Sequence, residues 1–374
     1  MQSKAPLFSK AIIYKNLQRF WPIFAAYTLF VSILSLGMVM NTNYERLILP
    51  GEFMNYVYSS TTTLSVVIAL FSIAIAVGVF AYMHNTVPTA MVNALPYKRQ
   101  TMFFSNYLSG LLMILIPLLL FFLILIGIGL NYNCLDILGL SKWLFIFSSL
   151  SVLLYSAAVT IGMLTGNIIA HIVFFGIANF FLIGIEALSQ FFLGFFLYGY
   201  SAGLARSEML MIKATPIVHT SLAAHTASIQ TDWIVWLSYF LLGVLLTWLA
   251  LKLYKNRKME NAGDVIAIRK LNPIFKYGIT FCTSLALGMI LIGVFNIQSN
   301  SFLLPVLLLL FAGMVGYFIA EMLLRKSYRV IGTYKGFIIY ALLFTLVSMS
   351  FYSDWYGYAN RLPDANKVQA VAFS

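Results

Sequence analysis

The chain has 374 residues, of which 61% are hydrophobic and only 9% are charged, and its mean hydropathy is +0.91. Soluble domains are usually about a quarter charged, so this composition excludes a soluble enzyme of one or two domains. It predicts instead an all-α, polytopic membrane protein. The formal net charge of +12 is then informative about orientation, because Lys and Arg concentrate on the cytoplasmic side of a membrane protein.

The N-terminal twenty residues have the pattern of an amphipathic helix. Apolar residues recur at helical spacing from Leu7 to Phe20, with basic residues between them, and the residues that define the two faces are Phe8, Ile12, Lys15 and Arg19. Such a helix favours the plane of the membrane interface, and Pro22 marks a bend into the first span. The alternative is a basic segment that only fixes the topology. No small-residue cleavage site follows the first apolar run, so we expect a retained span and not a signal peptide.

Nine apolar runs are long enough to cross a bilayer, which needs about 17–25 residues. They are Trp21–Met40, Thr62–Tyr82, Ser105–Gly129, Trp143–Gly166, Ile168–Leu188, Trp233–Leu251, Tyr277–Phe295, Phe302–Leu324 and Gly336–Tyr352. The fourth and fifth runs are almost continuous, and Gly162, Gly166 and Asn167 mark the expected tight hairpin between them. All six Trp residues fall at or near predicted span ends, where indole rings prefer the headgroup level.

The distribution of basic residues predicts the orientation. With the N-terminus inside the cell, 17 of the 23 Lys and Arg lie in cytoplasmic segments and six lie outside. Nine spans then place the C-terminus outside.

The segment between the second and third spans, from His84 to Asn106, predicts a short helix at the cytoplasmic surface. Thr86 or Asn85 is the candidate N-cap, Ala90–Leu95 supplies the apolar body, and Pro96 stops the helix just before Lys98 and Arg99. Its apolar face, with Met91, Val92 and Leu95, suits docking into a groove on a soluble partner. An ordinary loop lying on anionic headgroups is the competing interpretation.

Enzyme chemistry has no support in the sequence. The chain contains no Gly-Lys pair and therefore no phosphate-binding G-x-x-x-x-G-K-[ST] loop, and it has no H-E-x-x-H, C-x-x-C or G-x-S-x-G. Cys134 and Cys282 match no metal-ligand spacing, so no metal site and no disulfide framework are predicted. If ATP drives this protein, a separate chain must bind and hydrolyse it, so no cofactor is expected on this one.

Three ionisable residues lie inside or at the margin of predicted spans: His171, Glu186 and Glu321. An ionisable group at membrane depth is expensive and is a functional candidate for that reason. Glu321 precedes Arg325 by one helical turn, which favours an ion pair over a proton relay. Glu186 lies near the outer interface, and His171 lies near the tight hairpin.

Three segments of the chain resemble parts of Gram-positive type 2 ATP-binding-cassette (ABC) permeases. They are the N-terminal helix, A-L-P-Y-K-R followed by N-Y-L-S-G (Asn106–Gly110), and the loop Tyr254–Gly278 with its E-N-A-G and N-P-I-F-K-Y-G. Permeases of this family are exporter subunits that work with a separate ATPase and are often linked to cell-envelope or antimicrobial-peptide stress. The resemblance to the common permease core covers the first six spans, and the later spans resemble a narrower subfamily.

The resemblance implies a role for each region. Residues 1–20 become an elbow helix, residues 21–252 a six-span permease core, and residues 84–99, with His84 at their start, a coupling helix that contacts the ATPase. Residues 253–276 form a basic cytoplasmic loop, residues 277–352 three additional spans, and residues 353–374 an extracytoplasmic tail that resembles the beginning of a further domain. The resemblance also implies a second permease subunit, identical or related. It implies short re-entrant helices after the fifth span, with Phe191, Phe192, Phe195, Phe196, Leu197 and Tyr198 in them and with Gly194, Gly199 and Gly203 permitting the turn.

The leading hypothesis is therefore the membrane subunit of an ATP-driven exporter in the plasma membrane, with an amphipathic, lipid-like or peptide substrate. A proton-coupled secondary transporter that uses His171, Glu186 and Glu321 is one alternative, although the sequence shows no clear internal repeat. A peptide-sensing or immunity protein that binds its peptide without moving it is another.

Overall fold

The computed structural model describes residues 8–40, 50–84, 91, 97–197, 200, 211–224, 233–257, 263–266, 269–297 and 301–358. These residues form no strand, so the described part of the chain is all-α. Its helices, in chain order, are α1 (Lys10–Arg19), α2 (Trp21–Met40), α3 (Pro50–Ser59), α4 (Thr61–Phe80), α5 (Arg99–Asn131), α6 (Ile137–Leu164), α7 (Ile168–Phe196), α8 (Pro216–Ala224), α9 (Trp233–Asn256), α10 (Asn272–Val294), α11 (Leu303–Arg325) and α12 (Tyr334–Tyr352).

Membrane-spanning helices dominate the fold. Within the described ranges, eight helices are long and apolar enough to cross a bilayer: α4, which is continued by the 3₁₀ turn Ala81–His84, then α5, α6, α7, α9, α10, α11 and α12. A ninth is added if α1 and the first part of α2 count as one bent span. The all-α, polytopic membrane fold predicted from composition is thus confirmed. The hairpin expected between the fourth and fifth spans is also present, since α6 ends at Leu164 and α7 begins at Ile168.

The N-terminal helix is separate from the first span. α1 ends at Arg19, and the chain bends by 66° before Trp21–Leu34. Pro22 lies in the first turn of α2, where the missing amide hydrogen costs no helical hydrogen bond. Lys10, Lys15 and Arg19 are all exposed. The predicted helix and bend are therefore present, while its position in the membrane interface stays a prediction.

Two compact units make up the chain. Unit 1 comprises Met1–Phe180 and Ile212–Arg269, and unit 2 comprises Phe181–Met211 and Lys270–Ser374. The boundary within α7, between Phe180 and Phe181, follows packing and not the end of a helix. The domain limits expected from the resemblance stay predictions.

Helix α6 is the centre of unit 1. Small residues let its neighbours approach closely: a β-carbon added at Gly243 of α9 would lie 3.1 Å from the backbone of Leu153 in α6. Tight backbone approach of this kind is a common basis of helix association in a bilayer. The same helices are joined by hydroxyl groups, because Ser156 Oγ lies 2.8 Å from Tyr107 Oη of α5 and 3.0 Å from Thr247 Oγ1 of α9.

Helix α5 is longer than a bilayer requires. Its 33 residues extend for about 50 Å at 1.5 Å per residue, against a hydrocarbon core of about 30 Å. The N-terminal turns of α5 pack against α1 and the C-terminal end of α9, and Pro117 interrupts its backbone hydrogen bonds near the middle. One end of this helix therefore continues past the hydrocarbon core.

Unit 2 is built on the hairpin of α10 and α11. Ser284 Oγ of α10 donates a 2.7 Å hydrogen bond to the Leu309 carbonyl of α11, and both residues are fully buried. Helix α12 packs on this pair through aromatic residues such as Phe337, whose ring lies 5.7 Å from that of Tyr317 in α11.

Helix α7 extends further than the fifth predicted span, Ile168–Leu188. The four phenylalanines from Phe191 to Phe196 belong to α7 itself, which runs through Gly194 without a turn, so the expected re-entrant helices do not include them. Tyr198, Gly199 and Gly203 lie outside the described residues. A helix is favoured over a turn there because a broken backbone at membrane depth leaves polar groups unpaired. Trp143 lies within the first two turns of α6 and Trp236 in the first turn of α9, and both side chains are completely buried in unit 1.

Candidate functional site at the basic end of unit 1

Polar side chains collect where five segments of unit 1 meet, at the end that carries Arg99 and Lys255. We call this group the basic-end cluster, and its members are Asn16, Tyr82, His84, Asn106, His171, Tyr254 and Arg257. The segments are α1, the 3₁₀ turn Ala81–His84, the first turns of α5, the hairpin between α6 and α7, and the end of α9. Segments predicted to be cytoplasmic thus come together at one end of the unit.

Arg257 joins the ends of two helical segments. Its Nη1 donates to the carbonyls of Gly162 (2.8 Å) and Met163 (3.0 Å), and its Nη2 donates to the carbonyl of Met83 (3.1 Å). The last carbonyls of a helix have no partner within it and carry the negative end of the helix dipole, so a guanidinium suits them. Burial lowers the pKa of Arg257 to about 10, and the side chain therefore stays charged at neutral pH.

Two histidines pack beside this guanidinium. The ring centroids of His84 and His171 are 5.3 Å apart, and both side chains are buried. His171 Nε2 donates a 2.7 Å hydrogen bond to the Ala158 carbonyl, which requires the tautomer with its hydrogen on Nε2. The His171 ring packs against Gly162. A β-carbon added at Gly162 would lie 2.7 Å from Cε1 of this ring. A larger residue than glycine is therefore excluded at this point of the α6 end.

A chain of neutral hydrogen bonds connects α1 to this site. Asn16 Nδ2 donates to Asn106 Oδ1 (2.7 Å) and to Ser109 Oγ (2.9 Å), and Asn106 Nδ2 donates to Tyr82 Oη (3.3 Å). The hydroxyls of Tyr82 and Tyr254 are 3.0 Å apart. Asn106 and Ser109 belong to N-Y-L-S-G, so two of its polar positions have a structural explanation: they hold the N-terminal helix.

The loop after α9 is fixed to the hairpin between α6 and α7. The Gly166 amide donates to the Asp264 carbonyl (2.9 Å), and the Gly263 amide donates to the Gly166 carbonyl (2.7 Å). Gly263 has a φ of +91°, a conformation that other residues rarely adopt. The glycine of E-N-A-G is therefore needed for the shape of the loop at the point where it pairs with the hairpin.

Both ends of the predicted coupling segment lie at the basic-end cluster. His84 is 4% exposed and belongs to the cluster itself, whereas Met91, Lys98 and Arg99 are exposed. Arg99 Nη1 donates to the carbonyl of Lys255 at 2.9 Å, so this arginine also binds the end of α9. Contact between these residues and an ATPase stays a prediction. Four other members of the predicted segment lie outside the described residues: Thr86, Val92, Leu95 and Pro96.

The predicted elbow residues lie beside this site. The ring of Phe8 is 6.0 Å from that of Phe104 in α5, and Ile12 is half-buried on the same helix side. Lys15 is exposed, and the guanidinium of Arg19 lies 5.2 Å from the ring of Phe20. The N-terminal segment therefore has an apolar side that faces α5 and a basic side that is exposed.

The two acidic candidates lie in unit 2, whose sequence contains no histidine. Glu321 Oε2 accepts a 3.0 Å hydrogen bond from Arg325 Nε, as predicted from their spacing. Glu321 Oε1 accepts a 2.9 Å hydrogen bond from Lys276 Nζ, a partner that is 45 residues distant and has no signal in the sequence. Glu186 Oε1 accepts a hydrogen bond from Gln190 at 3.2 Å. His171, Glu186 and Glu321 therefore form no single relay in the structure of either unit.

Comparison with known proteins adds no identification. No protein-family model, curated protein or solved structure matches the chain at a significant level. In the described part of the chain, no three His, Cys, Asp or Glu residues are grouped as metal ligands. The sequence pattern and the arrangement at the basic-end cluster are therefore the basis for inferring a function.

Proposed function

We propose that this protein is the membrane subunit of an ATP-driven exporter of the plasma membrane, and that a separate ABC ATPase binds its segment 84–99. The observation that carries the proposal is that both ends of this segment are fixed to the same polar cluster. His84 packs against His171 at one end, and Arg99 binds the carbonyl of Lys255 at the other. A partner that moved the segment would move the ends of α4, α5, α7 and α9 with it.

The surface of the segment also suits a partner. Met91 is 71% exposed, and Lys98 and Arg99 of the same segment are also exposed. Exposed apolar residues with a basic rim are typical of a docking surface, in which the apolar residues contribute most of the binding energy. An identical or related second permease subunit completes the proposed exporter, which moves an amphipathic, lipid-like or peptide substrate.

Paired charges count against the proton-coupled alternative. A relay residue needs a free oxygen that can pass a proton to the next group, whereas each carboxylate oxygen of Glu321 accepts a hydrogen bond from a cation, Oε1 from Lys276 and Oε2 from Arg325. A peptide-sensing or immunity protein would need no ATPase at all. Association with an ATPase therefore separates the proposal from both alternatives.

Purification of the tagged full chain from its native membranes in a mild detergent tests the proposal. We expect a second subunit that carries G-x-x-x-x-G-K-[ST] and hydrolyses ATP. Met91→Asp and Leu95→Asp should each lower its recovery by about tenfold or more, as loss of an apolar hot spot does. Lys98→Ala should lower it only modestly.

Leu138→Asp is the matched control, because Leu138 is an exposed leucine (74%) in the first turn of α6, at the opposite end of that helix. It should leave the recovery of the ATPase unchanged. Full recovery of the ATPase with both Met91→Asp and Leu95→Asp would show that segment 84–99 is a surface loop and not the coupling helix. Absence of any ATPase from the wild-type preparation would reject the exporter.

A further inference from the structure

A groove of about 380 Å³ opens in unit 2 between the outer part of α7, α10 and α12. Aromatic and aliphatic side chains form nearly all of its wall, including Phe192, Leu285, Tyr340, Phe344, Val347 and Phe351. Phe192, Leu285 and Phe344 are less than 9% exposed and form its floor. Val347 is 47% exposed and lies at its mouth, so the groove has a closed apolar floor and an open side.

The groove offers almost nothing to water. Ser189 also contributes to its wall, but the hydroxyl of Ser189 already donates a 2.8 Å hydrogen bond to the Glu186 carbonyl of its own helix. Apolar cavities of this kind stay dry, because a buried water needs two or more polar partners. The occupant must therefore be apolar.

The length of the groove corresponds to one leaflet of a bilayer. Along α12 it extends from Tyr340 to Phe351, which is about 16 Å at 1.5 Å per residue, and half of a hydrocarbon core is about 15 Å. Just beyond Phe351 lie Tyr352 and Trp355, which are exposed aromatic residues of the kind that prefers headgroup level. The groove thus begins near a membrane surface and ends near the bilayer centre.

The cross-section selects the kind of occupant. Distributed over about 16 Å, the volume of about 380 Å³, which counts positions open to the centre of a water molecule, corresponds to a passage about 8 Å wide. A helix with its side chains is about 10–12 Å across, so a helix from a second copy does not fit inside. One extended hydrocarbon chain does fit, and the bilayer surrounds the open side with such chains.

We propose that this groove is a lipid-binding site that holds one acyl chain of a phospholipid, with the headgroup at the end marked by Trp355. The chain would lie parallel to α12, with its methylene groups against the floor of Phe192, Leu285 and Phe344. This site does not depend on an ATPase or on transport, so it goes beyond the proposed function. It makes the lipid a stable component of the interface between α7, α10 and α12.

Photo-crosslinking tests the site. The full-length protein is reconstituted into vesicles of phosphatidylethanolamine and phosphatidylglycerol that contain a trace of phosphatidylglycerol with a diazirine in one acyl chain. After illumination, peptide mapping should find lipid adducts concentrated on the groove residues of α10 and α12. Val347→Trp fills the mouth and should lower the yield of these adducts by about tenfold, the equivalent of two lost methylene contacts.

Leu346→Trp is the matched control, because Leu346 is the preceding residue, is 57% exposed and does not line the groove. It should leave the groove adducts unchanged. Gel filtration and a thermal melt of each variant establish folding, and Val347→Phe repeats the test if the tryptophan variant does not fold. Equal adduct yields in wild type and in the folded Val347 variant would overturn the proposal. So would adducts spread evenly over the exposed face of α12, or the absence of adducts from the groove residues of the wild type.

Discussion

Units 1 and 2 each place a charged side chain among helix ends, but they neutralise the charge differently. In unit 1 the cation of Arg257 is surrounded by three main-chain carbonyls, and no hydrogen bond to a carboxylate is present among the described contacts. In unit 2 the carboxylate of Glu321 is held by the cations of Lys276 and Arg325. The first arrangement uses the dipoles of helix ends and the second uses counter-ions. The difference shows that a partly buried charge needs no counter-ion where main-chain carbonyls are close enough to accept its hydrogen bonds.

The largest effect is expected from cysteine labelling, which shows whether the two charged sites lie on the same side of the membrane. Each labelled position either reacts or is protected. In a background without native cysteines, single cysteines at Lys255 and Lys326 should be protected from a membrane-impermeant thiol reagent in intact cells. Cysteines at Arg206 and Lys367 should react. The reason is the asymmetry of basic residues between the two sides. Reaction at Lys326 but not at Lys255 would place the two sites on opposite sides, and protection at Lys367 would remove the ninth span.

The next largest effect should come from removing the cation of unit 1. Arg257→Met leaves three carbonyls at helix ends without their donor, and we expect the free energy of unfolding to fall by about 3 kcal/mol. Thermal unfolding of the purified protein in a defined detergent, followed by circular dichroism, measures the change. Arg257→Lys should recover only part of the loss, because one ammonium group lacks the planar geometry that reaches all three carbonyls.

Arg329→Met is the control for the loss of a positive charge, since Arg329 is exposed. It should shift the unfolding temperature very little. A full recovery of stability by Arg257→Lys would mean that charge alone is required, and the proposed role of the carbonyl geometry would be wrong.

The smallest effect should come from the ion pairs of unit 2, measured by double-mutant cycles. Lys276 and Glu321 have side chains that are 19% and 7% exposed, whereas that of Arg325 is 55% exposed. We therefore expect a coupling energy of about 1.5 kcal/mol between Glu321→Gln and Lys276→Met, and of about 0.5 kcal/mol between Glu321→Gln and Arg325→Met. Equal coupling in the two cycles would show that burial does not decide their strength.

The same variant tests the role of the carboxylate. If Glu321 is structural, Glu321→Gln should leave the pH dependence of ATP hydrolysis by the purified complex unchanged. A changed pH profile in a well-folded Glu321→Gln protein would instead support proton coupling.

The membrane architecture was predictable because it depends on local properties of the chain. A run of apolar residues has to become a helix in a bilayer, and Gly166 with Asn167 gave the only polar place for a turn between α6 and α7. The Glu321 and Arg325 pair was predictable for the same reason, since residues four apart in a helix are neighbours. Each of these features can be inferred from fewer than about thirty consecutive residues.

The basic-end cluster was not predictable because its members come from five distant segments. In the sequence Arg257 is only one of many basic residues in a loop, and nothing near it predicts hydrogen bonds to the carbonyls of Met83 and Gly162.

The pattern at Phe191 to Phe196 was misleading for a related reason. Apolar residues with nearby glycines suit both a re-entrant turn and a continuous helix, and the long-range packing that selects the helix is not visible in sequence.

Pro117 gives the longest helix a built-in hinge. Because proline has no amide hydrogen, the Met113 carbonyl receives no helical hydrogen bond from it, and α5 consists mechanically of two rods with a weaker joint between them. The first rod carries Arg99, Asn106 and Ser109 and so moves together with α1 and the end of α9. The second rod lies deeper in unit 1. Bending of α5 therefore costs least at Pro117, near the middle of the helix.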